Sequence, residues 1–471
     1  MRGFMLDSAR CLENRDYYPR FIRFAAQRGV NTLLWHFTDD QGCSLRFDSV
    51  PEAASPHAYT KAELTDLLRL AREHGITVIP ELETLGHTRY LTRSVASLSH
   101  LAENDDVFTS ICPVAPQTRD IISRLIDEVV ELFDAPLVHV GLDEVNFGGH
   151  PLTRQALQTR AAADLYADYT LFLHSRLAAH GKQMMMWGDH LLRDAAIAPQ
   201  LPRDIVVCNW QYAPDPPQDT TQRLLDWGFD VVLCPALISY SQPLFPGQSY
   251  AIPNLRAIAR HAGLTGKGRV LGTLTTIWTP TRFFHDALWL PVDLAAAIMR
   301  DGPEVDLRQT AAAFAQDFYG LTPSPRWLDA CEEMFQHMPL HKEWIGALRL
   351  DEPINEPSQQ ADRWTRIASV FAEARPQVRR EPSSYDALIL MLELLAHTFR
   401  RAAAAAAGTI DNRLLEADQQ MMERLVQTWD RERFADDPRK WEPVFPFDEC
   451  NHLIAAFRRG SQSLQQQEVS R

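Results

Sequence analysis

Two adjacent acids, Asp143 and Glu144, close the mostly apolar run Leu137–Leu142 of a 471-residue chain. Other apolar runs end in similar company. Asp7 and Arg10 follow the first; His36, Thr38, Asp39 and Asp40 the second; Glu81, Glu83 and His87 the third. Trp187, Trp210 and Trp278 end the fifth, sixth and eighth, and Tyr240 follows the seventh. Sugars lay apolar C–H faces against aromatic rings, their hydroxyls bond carboxylates and arginine, and glycosidic cleavage needs an acid for the leaving oxygen. Three indoles with several carboxylates therefore point to carbohydrate chemistry. Each element alone has a plainer reading: a tryptophan at a strand end usually packs, an isolated histidine is usually structural, and an Asp-Glu pair is usually solvated. The recurrence at successive strand ends carries the inference. Metal-assisted hydrolysis competes, with His36, Asp39, His87, Asp143 and Glu144 as drawable ligands. No HxH or HExxH spacing is present, and three tryptophans would line such a site oddly. Neither a metal nor a cofactor is expected.

The runs that must position these residues are Gly3–Leu6, Thr32–Phe37, Ile76–Ile79, Leu137–Val140, Met184–Trp187, Ile205–Trp210, Val231–Cys234 and Val270–Trp278. Helical patterns separate them. Phe21, Phe24 and Ala25 share one face before Gly29, and Thr60 with Glu63 is spaced as a capping box. Continuous apolar strands alternating with helices predict a parallel sheet covered on both faces. Eight such units over about 300 residues predict a (β/α)₈ TIM barrel of residues 1–302. A doubly wound open sheet is the alternative, but no GxGxxG follows the first run. From 303 to 471 the strand signal stops. Ala311–Phe318, Trp364–Ala374, Tyr385–Ala407 and Leu414–Trp429 read as a helical C-terminal region, punctuated by Pro323, Pro325, Pro353 and Pro357. The terminal GSQSLQQQEVSR is expected to fray.

Composition sets outer bounds. Hydrophobic residues make up 45% and charged residues 23%, with a formal net charge of −14, which argues against nucleic-acid binding. No apolar stretch approaches the roughly 20 residues of a membrane span, and the N-terminus lacks the apolar core of a leader. The seven cysteines are dispersed without CxxC spacing, as in reduced thiols. A cytoplasmic location is expected, with a carbohydrate as the partner; a homodimer is compatible with the sequence.

The segments RGFMLDSAR, NTLLWHFTDDQG, PELETLGH and HVGLDE together resemble the first four strands of glycoside hydrolase family 20, the β-N-acetylhexosaminidases. MMMWGD, CNWQY, SY and IWT are weaker likenesses in the same order. The resemblance covers about residues 1–300 and lacks the small accessory α/β domain that often precedes the family's barrel. It implies exo-acting release of a terminal β-linked N-acetylhexosamine, with the substrate's acetamide as nucleophile and an oxazolinium intermediate. Glu144 would be the general acid, then base. Asp143 would bond the acetamide N–H and Tyr240 its carbonyl. Arg10 would hold sugar hydroxyls, Asp39 and His87 would form a relay behind Glu144, and Trp187, Trp210 and Trp278 would wall the pocket. Adjacent acids suit this mechanism. A two-carboxylate retaining enzyme needs its pair about 5–5.5 Å apart across the bond, whereas here the second acid need only orient an amide.

Some positions depart from the family's pattern. Leu142 replaces a second glycine, Cys43 a tryptophan and Leu85 a proline, while Gln242 and Pro280 stand where acids usually contact the outer hydroxyls. The machinery for the acetamide is kept and the outer grip is altered. Arg282 is close enough in sequence to pair with an anionic substituent such as a sulfate, or to face solvent or Asp286. A milder expectation is acceptance of both N-acetylglucosamine and N-acetylgalactosamine. Two other readings stay open: a two-carboxylate glycosidase using Glu144 with a distant acid such as Glu83, and a catalytically silent sugar-binding barrel.

Overall fold

Continuous apolar strands stay buried on both faces only where both faces are covered, and this chain achieves that by closing its sheet. In the computed structural model the strands are β1 (Arg2–Asp7), β2 (Thr32–His36), β3 (Thr77–Glu81), β4 (Leu137–His139), β5 (Gln183–Trp187), β6 (Val206–Trp210), β7 (Asp230–Cys234) and β8 (Val270–Ile277). They pair in sequence order, all parallel, and β8 pairs back to β1, with Leu6 opposite both Trp35 and Ile277. The predicted eight-stranded barrel is therefore present. Its register sets Asp7 beside His36, His36 beside Glu81 and Glu81 beside His139, so one row of polar side chains crosses four strands.

The structure describes residues 1–104, 109–239, 247–434 and 452–469. They divide into two compact units, Met1–Ala236 with Ala257–Ile277 and Leu237–Arg256 with Trp278–Arg471. In the first, helices α1 (Tyr17–Gln27), α2 (Lys61–Glu73), α3 (Pro116–Leu132), α4 (Ala162–Ala179) and α5 (Asp219–Trp227) alternate with the strands. The α1 face of Phe21, Phe24 and Ala25 is buried. The Thr60 hydroxyl accepts the Glu63 N–H at 3.2 Å, and the Glu63 carboxylate accepts the Thr60 N–H at 2.9 Å, completing the capping box. Strand β4 is one residue shorter than predicted, because Gly141 and Leu142 turn into the left-handed region at φ 70° and 78°.

The second unit takes in Trp278–Asp301, which the sequence grouped with the barrel. Its helices are α6 (Trp289–Asp301), α7 (Leu307–Asp317), α8 (Pro325–His337), α9 (Pro357–Ala374), α10 (Pro382–Ala407), α11 (Asn412–Glu432) and α12 (Leu453–Val469). Several start earlier than expected. Pro325, Pro357 and Pro382 sit at the first helical position, where a missing N–H costs nothing. Read as connections, Pro325 and Pro357 hid α8 and the first turns of α9, while α10 starts one turn before the expected Tyr385. Gly460–Val469 of the terminal segment expected to fray lies in α12, which buries Leu453, Ile454, Phe457 and Leu464 completely. Among the described residues no helix is long and apolar enough to cross a membrane.

Closure depends on Gly3. A Cβ there would lie 2.7 Å from the Thr32 carbonyl oxygen and 2.4 Å from Leu274 Cδ2, on the strands either side of β1. Gly3→Ala should therefore destabilise the chain by about 1–3 kcal/mol, lowering the urea midpoint with the m-value unchanged. An unshifted midpoint would show that β1 tolerates the added carbon.

Candidate active site

The row of polar residues at the strand ends is a buried ionic network. His36, at the end of β2, is 1% exposed and bridges two acids, its Nε2 lying 2.8 Å from Asp39 Oδ2 and its Nδ1 3.0 Å from Glu81 Oε2. Arg10 joins from β1, 2.9 Å from both Asp7 Oδ2 and Asp39 Oδ2. Burial disfavours every charge here, yet the pairing outweighs it. Glu81 and Asp39 hold His36 protonated well above its usual range. Arg10, His87 and His36 hold Asp39 well below the usual carboxylate range, and His36 and His139 hold Glu81 low. Trp187, 1% exposed, donates its indole N–H to Glu81 Oε1 at 2.8 Å and packs edge-on against His139.

His87 joins this network to the adjacent acids. Its Nδ1 lies 3.1 Å from Asp40 Oδ2 and 3.9 Å from Asp39 Oδ1. Its Nε2 lies 3.3 Å from Glu144 Oε2 and 3.6 Å from Asp143 Oδ2. The direct partner behind His87 is thus Asp40, whose Oδ1 accepts the Arg89 N–H at 3.1 Å, and the expected Asp39 stands one step aside on Arg10 and His36. Burial works against a charged His87, but Asp143 and Asp39 raise it well above its usual value. Burial would likewise raise Glu144; the bond and charge of His87 lower it instead. The Asp143 side chain is 14% exposed and that of Glu144 39%. Oδ1 of Asp143 is buried and meets no hydrogen-bond donor among the described residues.

Both acids ride on a strained turn. Gly141, Leu142 and Glu144 have φ of 70°, 78° and 48°, a region that costs an ordinary residue roughly 1–2 kcal/mol. Partners fix each backbone group. His139 Nδ1 accepts the Gly141 N–H at 3.1 Å, Trp187 N–H donates to Gly141 O at 3.0 Å, and Tyr166 OH donates to Leu142 O at 2.8 Å. Asp189 Oδ2 accepts the Glu144 N–H at 3.3 Å, His190 Nε2 the Val145 N–H at 2.8 Å, and Ser110 Oγ the Asn146 N–H at 2.9 Å. A Cβ on Gly86 would lie 2.2 Å from Asp143 O, and one on Gly141 1.9 Å from Glu83 Oε2.

The protonation states suit these roles. Burial, then Arg193, brings His190 down to about 4, leaving it neutral with a nitrogen free to accept. Burial, then Asp143, pushes Asp189 up to about 7. Burial, then Asp143, also drives Glu83 well above the carboxylate range, so it stays protonated. Three groups of described residues come within metal-ligand reach of one another, two of them here: His36 with Glu81 and Glu83, and Asp39 with Asp40 and His87. Both nitrogens of His36 and both of His87 already face carboxylates, so these groups neutralise themselves.

Trp210 is half-buried and lies beside Tyr212, ring centres 5.3 Å apart and planes tilted by 33°. Tyr240 and Gln242 lie outside the described residues. Trp278 and Arg282 belong to the second unit, where Trp278 N–H donates to Ile238 O at 3.1 Å. Arg282 does not face solvent as one reading had it. It is 1% exposed and donates from Nη1 to Ser239 O at 2.9 Å. Thr279 sits at φ 56°, costly for a β-branched residue. The segment after it is clasped from the end of α11: Arg433 Nη2 donates to Pro280 O at 2.8 Å and Phe283 O at 2.9 Å, and Glu432 accepts the His285 N–H at 2.7 Å. Asp189, His190, Tyr166, Ser110 and His139 were not singled out in the sequence. Asp189 and His190 lie two and three residues past Trp187, and scanning three residues past each strand end would have found both.

Against solved structures, the chain resembles a β-N-acetylhexosaminidase from Bacteroides fragilis, with a TM-score of 0.55 at 20% identity over 67% of this chain and 68% of that one. It also resembles a Flavobacterium johnsoniae chitobiase, with a TM-score of 0.52 at 17% identity over 98% and 78%. At such identities these likenesses show the fold: a TIM barrel of the kind glycoside hydrolases use. The model of the glycosyl hydrolase family 20 catalytic domain matches residues 1–249, more than half of the chain, and the chain belongs to that family. A β-hexosaminidase of Vibrio furnissii is 25% identical over 329 residues, 59% of this chain and 52% of that protein. The chain thus spans about half the length of that curated relative.

His36 offers a direct check of the network. His36→Gln would remove the cation that Asp39 and Glu81 share, leaving Asp39 to Arg10 and Glu81 buried without it, and unfolding free energy should fall by about 3–5 kcal/mol. The raised His36 contributes fully below its unfolded value near 6.5 and is lost as pH rises through the folded value. The lowered Asp39 and Glu81 contribute above about 4.3 and are lost as pH falls. The contribution of these three groups should therefore be greatest between about pH 4.3 and 6.5. In the variant, the decline above 6.5 should flatten; an identical alkaline decline would place the titration elsewhere.

Proposed function

We propose that this chain is an exo-acting β-N-acetylhexosaminidase, cleaving terminal N-acetylglucosamine and/or N-acetylgalactosamine with retention through an oxazolinium intermediate. The observation that carries the reading is Asp143 Oδ1, a buried carboxylate oxygen with no protein donor among the described residues, beside a half-exposed Glu144 paired with His87. An acetamide N–H would supply the missing donor. The amide oxygen, so oriented, attacks the anomeric carbon while Glu144 protonates the departing glycosidic oxygen. Glu144 then takes a proton from water as that water attacks the same carbon and reopens the ring. Proximity of this kind is worth up to about 7–11 kcal/mol. No external cofactor takes part.

In the free protein the shared proton rests on His87, and Glu144 is ionised. Closing the site over a sugar removes water from Glu144 and favours transfer across the 3.3 Å contact. On this reading Arg10, held by Asp7 and Asp39, would bond sugar hydroxyls, and Trp187 and Trp210 would wall the pocket. Tyr240 would receive the acetamide carbonyl and Gln242 an outer hydroxyl. Glu83 is unsuited as an alternative nucleophile, being buried and protonated. The bonded, buried Arg282 does not favour a sulfate partner, so acceptance of both epimers is the specificity expected. The six described cysteines are buried and none is in a disulfide, which supports a reducing, cytoplasmic setting.

A panel of aryl glycosides varied at C2, C4 and C6 tests the substrate class; turnover of plain glucosides but not of 2-acetamido sugars would defeat the proposal. Glu144→Gln should cut turnover of a natural disaccharide by about 10²–10⁴-fold and affect activated aryl leaving groups less. A thiazoline mimic of the cyclised intermediate should inhibit far more tightly than the product sugar, and Asp143→Asn should weaken it. Full activity in Glu144→Gln, or indifference to the mimic, would count against the mechanism.

His87 makes a separate prediction through pH. Its raised value keeps the proton on the His87–Glu144 pair to higher pH, and without it the proton is held by Glu144 alone. His87→Gln should move the alkaline limb of kcat/KM to lower pH as well as lowering kcat. An unmoved limb would remove His87 from the proton path.

A further inference from the structure

One four-residue segment, Trp187–His190, touches the acid-bearing turn at three places. Trp187 N–H donates to Gly141 O at 3.0 Å, Asp189 Oδ2 accepts the N–H of Glu144 itself, and His190 Nε2 accepts the N–H of the next residue, Val145. The segment is fixed in turn. The Trp187 indole is bonded to Glu81. Gly188 packs so closely that a Cβ would lie 2.7 Å from Val207 Cγ1 on β6. The His190 ring lies 4.9 Å from that of Tyr166, whose hydroxyl holds Leu142 O. The Asp189 and His190 side chains are 11% and 12% exposed, and Oδ1 of Asp189 is buried without a partner among the described residues.

Nothing in the chain's local preferences keeps Leu142 and Glu144 in the left-handed region. Such conformations persist only where the surroundings over-determine them. The N–H groups of Glu144 and Val145 are the two nearest to the Glu144 side chain, and each is held by one side chain of this segment. We propose that Asp189 and His190 are positioning residues of the reaction, clamping the turn so that Glu144 and Asp143 both stay against His87. The proposal rests on the hexosaminidase reading for its kinetic consequence, while the clamp itself is a structural claim. Trp187, a wall of the proposed acetamide pocket, belongs to the same segment, so acetamide seating and acid placement share one support.

The test combines amide hydrogen exchange with kinetics on an aryl N-acetyl-β-glucosaminide. In wild type the Glu144 and Val145 amides should exchange slowly. Asp189→Ala should speed exchange at Glu144, and His190→Phe, which keeps a ring against Tyr166 but offers no acceptor, at Val145. Both should lower kcat by about 10–100-fold with little change in KM, as loss of alignment does. Asp189→Asn retains an oxygen able to accept the Glu144 N–H and should restore near wild-type exchange and kcat, a recovery that a charge-dependent role would not give. If Asp189→Ala does not fold, His190→Phe and Asp189→Asn carry the test. Unchanged protection at Glu144 and Val145, or kcat equal to wild type in Asp189→Ala and His190→Phe, overturns the clamp. Wild-type protein inactive on every N-acetylhexosaminide would instead defeat the hexosaminidase reading, with the exchange data still deciding the clamp.

Discussion

Consecutive side chains on an extended strand point to opposite faces. Asp143 and Glu144 can therefore both reach His87 Nε2 only if the backbone between β4 and the following loop leaves the extended region. It does so at Gly141, Leu142 and Glu144, and much of the surrounding architecture answers that constraint. Strand β3 supplies the loop whose Gly86 admits the Asp143 carbonyl. Helix α4 supplies Tyr166, and the end of β5 supplies the clamp. The barrel is the frame that lets four separate segments reach one short turn.

The second organising feature is how burial and pairing divide the titratable groups. Asp39 and Glu81, set against cations, are held low, while burial, reinforced by neighbouring Asp143, drives Glu83 and Asp189 up. Histidines set against carboxylates, His36 and His87, carry charge; His139 and His190, for which burial dominates, are lowered and accept backbone N–H groups. Each cation of the site thus lies against more than one acid, and paired burial of this kind is what makes such a network tolerable. Separated environments for neighbouring acids are also how acid and base roles are divided at one pH.

Much of this was legible in the sequence because it follows simple periods. The eight apolar runs gave the barrel, and the polar residues at their ends gave Arg10, His87, Asp143 and Glu144. What was not legible depends on distances along no fixed period. Asp40 rather than Asp39 behind His87 is decided by a two-stranded hairpin, Thr38–Asp39 with Gly42–Cys43, that a linear reading does not see. The buried, bonded state of Arg282 follows from a contact 43 residues away. The prolines that open α8, α9 and α10 read equally well as breaks or as first residues, since only the chain before them is forced out of helix. The left-handed Leu142 was visible only as a departure from the family's glycine.

The clasp on the segment after β8 has a temporal consequence. The carbonyls of Pro280 and Phe283 find their buried donor in Arg433, as many as 153 residues later in the chain. At about 5–20 residues per second of synthesis, the ribosome needs on the order of 10–30 s to reach that arginine after the loop has been made. Through that interval the turn at Thr279 must lean on other partners or on water. Its final form is therefore among the last features a nascent chain acquires, although the strand leading into it was laid down well before.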